Sequence, residues 1–456
     1  MRIPRRSRTF DSLPERTLVS GKGKANPISR LSERSLVRKI AGSLSVHEDD
    51  GLESVQSLSG MSESAATLSY DTDMSSDSSR CGIVGCHPVE EDSPCSLPLG
   101  LSATAALLHR KELAVDELLG VGTFSQVFAL SSLKLKKAYH VLAAQEGDPA
   151  ARRQLQHTKP GQLVVKHLNR RLLQRPKQFF QAALHLEREA TILGQVQHPN
   201  IVQLRAVALG GTTALQSGHY NDYFLVLDRL QGTLDERIEY WRSSGNDASC
   251  SRALYAQKIR YSLQIASALH YLHSHRLIYR DVKASNCGFL PDGTLQLFDF
   301  GFCRALPPSY MGYHNDNDDQ DNETFHMSLA GTTRYMAPEI LQEKTYNAKA
   351  DVYSFAMTVY EMMTHEKPYG DIRAHHFFEC VCTNQVRPNL KKNKLPFAAA
   401  ALQTLLENAW CANVTDRWSI GTVMERLRDI QCTLQQEPSN GCQRASCQRC
   451  SSPKAA

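Results

Sequence analysis

Two regimes of hydrophobic patterning divide the chain. Over its first hundred residues, twenty of them serine, apolar positions keep neither the period of a helix nor that of a strand. Such a segment buries too little apolar surface to offset the entropy of ordering it, which predicts a disordered tail over 1–105. From about Lys111 to about Thr433, apolar runs alternate with amphipathic stretches, without internal repeat. LLGVGTFSQVFAL (118–130) is β-prone on both sides of Gly120-Val121-Gly122 and predicts a hairpin with a glycine turn. LVVKHL (163–168) predicts a short strand bringing Lys166 inward. Leu184, Glu187, Ala190, Ile192 and Leu193 mark a helix with an apolar face, which HPNIV (198–202) ends. YFLVLDRLQG (223–232) predicts a strand running into a linker, and LFDFGF (297–302) a strand followed by a turn. Roughly 320 residues is long for one core. Two lobes are therefore expected within 112–433, divided as 112–230 and 231–433, with a second disordered tail over 434–456.

Charge and cysteine usage narrow the setting. Residues 1–40 hold eleven Arg/Lys against three Asp/Glu, and residues 41–95 one Arg against eleven Asp/Glu, which fits a solvated tail. A net charge of +5 is too weak to indicate nucleic acid as a partner. No run approaches the roughly 18 apolar residues of a membrane helix, so no membrane span is expected. No apolar segment follows the N-terminal arginines, and Asp11, Glu15 and Glu33 interrupt the basic stretch, which disfavours a secretory or mitochondrial leader. Thirteen scattered cysteines then read as reduced thiols of the cytoplasm or nucleus.

The chemistry begins at the glycines. Gly120 and Gly122 let backbone N–H groups approach phosphate oxygens, though most short Gly-x-Gly stretches are plain turns. Phe124 and Val127 are placed to cap the phosphates and cover a base. Lys166 alone could be an edge-strand residue. Its interest comes from the helix that follows, where Glu189, in preference to Glu187, could hold it against nucleotide phosphates.

YRDVKASN (279–286), LFDFGF, GTTRYMAPE (331–339) and DVYSFAM (351–357) follow in order. Together with Lys166 and Glu189, the set resembles a eukaryotic protein kinase domain over about 114–433, in which Arg417 stands where such domains pair an arginine with Glu339. The resemblance implies an α+β, bilobal fold: a small, mostly antiparallel five-stranded N-lobe with one helix, then a larger, mainly helical C-lobe. It implies ATP and Mg²⁺ as cofactors and protein substrates as partners. Asp281 then accepts or orients the acceptor hydroxyl's proton, Lys283 neutralises the γ-phosphate, and Thr332 braces both. Asn286 and Asp299 hold Mg²⁺ through oxygen. Gly120, Val121, Gly122 and Val127 cover the nucleotide, Leu227 guards the back of the base pocket, and backbone groups from Asp228 to Leu230 bond the base. The bland readings are a helix-terminal cap for Asp281 and a turn aspartate for Asp299.

Lys283 after the catalytic aspartate looks like serine/threonine specificity. RYMAPE, DVYSFAM and the Trp410–Arg417 stretch resemble the tyrosine-kinase-like group of such kinases. The alternative is a pseudokinase scaffold that binds nucleotide or partners without turnover, disfavoured because every charged catalytic position is filled. Ser328, four residues before Thr332, matches a position phosphorylated by upstream kinases, with Arg280 as the phosphate's partner and Thr324 as runner-up. Arg5–Ser7 and Arg30–Ser32 resemble basophilic kinase sites or are chance neighbours in a tail.

Several departures need an account. Tyr279 replaces the usual His, a packing role that an aromatic ring with a polar tip can fill. Ser125 replaces the third glycine. Gly288 stands where a bulky residue usually floors the base pocket, a loss that Phe289 or Val127 could repair. The stretch 131–161 reads as a polar surface insertion, with a docking or regulatory loop that includes a short helix near Ala138–Ala144 as the sharper alternative. HNDNDDQDNE (314–323) reads as a solvated acidic loop, and CQRASCQRC (442–450) as tail.

Overall fold

A computed structural model describes Arg38 and residues 105–140, 143, 148–244, 252–307, 323–390 and 399–436. The expected N-terminal tail apart from Arg38 and Ala105, the acidic stretch apart from Glu323, and the cysteine-rich segment 442–450 lie outside the described residues.

The N-lobe is a six-stranded sheet in the order β1-β5-β6-β4-β3-β2. Its strands are β1 Ala106–Leu108, β2 Leu113–Val121, β3 Ser125–Leu133, β4 Leu163–Leu168, β5 Leu204–Ala208 and β6 Phe224–Asp228. The expected count was five. The sixth, β1, precedes the expected boundary at 112 and pairs parallel with β5, Ala106 opposite Ala206. Ala106 and Leu108 are fully buried, but three residues carry no alternation from which a strand can be read.

Among the described residues the N-lobe holds more helix than the single one expected. Helix α2, Pro176–Leu193, buries one face of Phe179, Ala182, Ala183, Leu186, Ala190, Ile192 and Leu193. Helix α1, Pro149–His157, lies inside the insertion, capped by Asp148 accepting from the Ala150 amide at 2.7 Å. It is pinned by charge as well as by apolar packing. Arg152 is buried, donates to Glu112 Oε1 at 2.7 Å and to the Leu107 carbonyl at 2.6 Å, while Leu155 is buried beside it. A hydrophobic pattern does not register such an anchor, and the insertion is thereby part of the lobe. Where a short helix was expected, a 3-10 turn, Lys137–Tyr139, leads into helical His140 and Ala143, and Tyr139 stacks on His109 at 4.0 Å.

The C-lobe is helical: α3 Leu234–Ser243, α4 Arg252–Ser274, α5 Lys349–Thr364, α6 Ala399–Ala409 and α7 Ile420–Gln436. Thr233 and Glu236 close a capping box on α3, which fixes where the linker ends. All residues of α5 are buried, so it is the centre around which the lobe packs. Helix α7 runs past the expected end at Thr433, because Leu434 is buried and its carbonyl takes two bonds from Arg252. Two short ladders lie between α4 and α5 in sequence: β7 Leu277–Ile278 with β10 Arg304–Ala305, and β8 Cys287–Phe289 with β9 Leu295–Leu297.

Candidate active site

The centre of β4 presents Lys166 opposite Val127 of β3 and Leu225 of β6. Its ammonium lies 2.6 Å from Glu189 Oε2 and 2.9 Å from Asp299 Oδ1. Glu189 is enclosed on the apolar face of α2, a costly place for a carboxylate without a cation. Burial alone lowers a lysine's pKa. Here the Asp299 and Glu189 carboxylates outweigh burial and hold Lys166 above its ordinary value. Lys166 in turn holds the Asp299 carboxyl below its ordinary value. Glu189 is thus the partner of Lys166. Asp299 has φ +67, a left-handed conformation rare outside glycine, and its side chain keeps 46% of its surface exposed. Its charge is therefore presented to the cleft rather than buried with the other two.

The segment 279–286 is hung on α5. Asp351, buried in the first turn of that helix, accepts from the Tyr279 amide at 2.8 Å and the Arg280 amide at 2.7 Å. This holds Arg280 at φ +70 and turns Asp281 into a polar cluster. Thr332 donates to Asp281 Oδ1 at 2.7 Å, and Lys283 and Asn286 donate to Oδ2 at 2.7 and 2.9 Å. Lys283 also bonds Thr332 Oγ1 at 2.8 Å. One aspartate thus ties a lysine, an amide and a hydroxyl from segments distant in sequence. Thr332 reaches it because Gly331, at φ +115, lies against the Arg280 carbonyl, where an added Cβ would come within 2.5 Å.

The glycine hairpin closes the far side. An added Cβ at Gly120 meets nothing within 4 Å, and at Gly122 nothing nearer than Ser125 at 3.5 Å. The fold itself does not require these glycines, so what they leave is open space above the backbone, a cradle that fits phosphate. Val121 is exposed, and Val127 packs on the core below. Ser125 opens β3 in ordinary extended geometry, opposite Leu168, and so stands in for glycine without strain. Leu227 is buried opposite Val164. The Asp228 carboxylate turns to a two-point pair with Arg205 at 2.7 and 2.8 Å. The Arg229 amide donates to Gln162 at 2.7 Å, whereas among the described residues the Leu230 amide makes no internal bond.

The model of the protein kinase domain matches residues 146–427. The chain belongs to the protein kinase family. The glycine hairpin lies ahead of the matched span, although β2 and β3 are laddered to the strand carrying Lys166 in one sheet. A probable serine/threonine-protein kinase, gdt4, of Dictyostelium discoideum is 31% identical over 54% of this chain and 13% of its own length. The cAMP-dependent protein kinase catalytic subunit 3 of Drosophila melanogaster is 27% identical over 49% of this chain and 32% of its own. The serine/threonine-protein kinase YPK3 of Saccharomyces cerevisiae is 29% identical over 51% of this chain and 40% of its own. The chain thus spans well under half the length of these relatives.

Within this kinase Tyr279 takes a packing position. Its ring meets Phe300 edge-to-face at 5.0 Å, and its hydroxyl donates to the Phe298 carbonyl. It steadies the backbone on both sides of Asp299 without touching the charged cluster. Three positioning residues escaped the sequence reading. Asp351 anchors the 279–281 backbone. Asn169 donates its side-chain amide to the Gly122 carbonyl at 3.0 Å and its backbone amide to Phe124 at 3.0 Å, pinning the hairpin tip. His185, on the Glu189 helix, stacks on Phe124 at 4.9 Å and meets the Gly301 carbonyl through Nδ1 at 3.0 Å. Asp351 opens the DVYSFAM stretch and His185 opens the stretch that carries Glu189, but neither was assigned a role.

Proposed function

We propose that this kinase transfers the γ-phosphate of ATP to serine and threonine hydroxyls of protein substrates. The single observation behind the reading is that Lys166, Glu189 and Asp299 form one ion-pair cluster while Asp281, Lys283, Asn286 and Thr332 form one hydrogen-bonded cluster. Phosphoryl transfer asks for positioned positive charge and an oriented acceptor, with little covalent work by the protein. Lys166, fixed by Glu189, orients the α- and β-phosphates. Asp281, with one oxygen set by Thr332, receives the acceptor hydroxyl and takes its proton, and Lys283 offsets charge on the transferred group.

The family implies a divalent metal, and the donor set suits one. Asn286 spends Nδ2 on Asp281, which leaves its amide oxygen as the donor. Asp299 spends Oδ1 on Lys166 and keeps its other oxygen. Two oxygens of this kind suit Mg²⁺, which takes few protein ligands and completes its shell with phosphate and water. Bound there, the ion neutralises phosphate charge and fixes the reacting group.

Lys283 and the GTTRYMAPE stretch carry the serine/threonine assignment, and the named specificity of the relatives supports it. RYMAPE, DVYSFAM and Trp410–Arg417 place the chain, in this reading, in the tyrosine-kinase-like group. Regulation enters through Ser328, whose Oγ lies 3.5 Å from Arg280 Nη1. A phosphate there would gain a charge-assisted partner and order the segment; the upstream kinase is a partner of this proposal. The test incubates the protein and its Asp281→Ala variant with labelled ATP, Mg²⁺ and a peptide library. Label on Ser/Thr with wild type alone supports the reading; equal incorporation by both proteins, or label on Tyr only, overturns it. Full activity of Ser328→Ala, purified unphosphorylated, refutes the regulatory part.

A further inference from the structure

We propose that the Leu230 side chain closes the nucleotide base site from below, the task left vacant by Gly288, and so carries the affinity for the purine. The inference rests on the ATP reading above. Gly288 lies in the middle of β8, paired with Gln296 and bridged to Thr233 just past the linker. It is buried, and its φ is not positive, so the backbone does not demand glycine. Space does. A Cβ built there would lie 2.6 Å from Leu230 Cδ1, 3.1 Å from its Cβ and 3.3 Å from its Cγ. The contact below 3.0 Å is with the Cδ1 tip and those with Cγ and Cβ are merely tight, so a side chain at 288 and the branched end of Leu230 compete for the same volume.

The linker cannot readily withdraw either. Gln231 donates its amide to the Phe289 carbonyl at 2.7 Å, and Phe289 donates back to Gly232 at 3.2 Å. These bonds fix the backbone beside Leu230 against β8. The two residues expected to repair the missing side chain do not reach it. Phe289 is buried, 5.0 Å from Tyr261 with the Arg237 guanidinium 3.9 Å over its ring. Val127 stands across the site on β3, opposite Lys166. Leu230 is left only partly buried, three residues past Leu227, in the segment whose backbone faces the base. A small residue on β8 and a large one on the linker are thus one exchange of volume between two elements.

The test compares wild type, Leu230→Ala and the swap Leu230→Ala with Gly288→Leu, each by thermal unfolding, by kcat and KM, and by dissociation constants for Mg·ATP and inorganic tripolyphosphate. Removing the floor should weaken ATP about tenfold through lost apolar contact. Tripolyphosphate, which has no base, should bind as before. The swap should fold and recover most of the ATP affinity. Equal weakening of ATP and tripolyphosphate, no weakening by Leu230→Ala, or a swap that fails to fold or binds no better than Leu230→Ala overturns the proposal. Wild type that binds no ATP ends the nucleotide reading itself; wild type that binds ATP regardless of residue 230 ends only this inference.

Discussion

Lys258 allows a quantitative test of the C-lobe interior. It lies within α4 with 3% of its surface exposed, its Nζ 2.6 Å from His365 Nε2 and 5.1 Å from the Trp241 ring centre. Among the described residues no carboxylate pairs with it, and burial pushes its ammonium down from 10.5 to about 8. At about 1.4 kcal/mol per pH unit, that depression corresponds to a charging cost of about 3 kcal/mol. Below about pH 8 both folded and unfolded chains carry the proton, and the folded state bears the whole cost. Between about pH 8 and 10.5 the unfolded chain keeps a proton the folded chain has lost, so this group's contribution to stability rises with pH. Lys258→Met keeps the volume of the stem and sets a thioether near Trp241, while losing a hydrogen bond worth about 1 kcal/mol. The variant should therefore be about 2 kcal/mol more stable near pH 7, the gain shrinking to near zero around pH 10. Urea unfolding of both proteins at the two pH values reads the difference directly. The same difference at both, or a loss near pH 7, refutes the argument.

Three further outcomes follow from the site. Lys166→Met leaves Glu189 buried beside Asp299 without a cation; stability should fall by about 3 kcal/mol or more and phosphoryl transfer at least about a hundredfold, read by unfolding and by labelled-ATP turnover. Tyr279→Phe removes only the bond to the Phe298 carbonyl and should cost about 1 kcal/mol with turnover within a few-fold, whereas Tyr279→Ala also vacates the contact with Phe300 and should cost about 3 to 5 kcal/mol. Gly331→Ala combines a positive φ with a Cβ within 2.5 Å of the Arg280 carbonyl; it should cost about 1 to 3 kcal/mol and lower kcat while Mg·ATP still binds, since the strain falls on Thr332 and Asp281 rather than on Lys166.

What was legible in the sequence divides along physical lines. That Lys166 would meet Glu189, and that Asp281, Lys283 and Thr332 would gather, was legible because phosphoryl transfer restricts which charges and oxygens can serve and in what order they recur along the chain. The two lobes were legible from length, since roughly 320 patterned residues exceed what one core holds. Elsewhere a local pattern lacked the necessary information. Strand β1 is too short to alternate, and α1 is held by a buried Arg152–Glu112 pair that reads as polar surface. Asn169 acts on the glycine hairpin, so its significance depends on a partner far away in sequence. Gly288 shows the limit most clearly. Read along the chain it is a missing contact; in the fold it is the vacancy that Leu230 occupies. Large and small residues can trade places across two elements without leaving any trace in either one's pattern, because close packing constrains the summed volume of neighbours rather than the size of each. A departure from a family's usual residue therefore argues against function only when no neighbour in space has changed to match it. At Tyr279 the hydroxyl finds the Phe298 carbonyl, and at Gly288 the volume comes back from the linker.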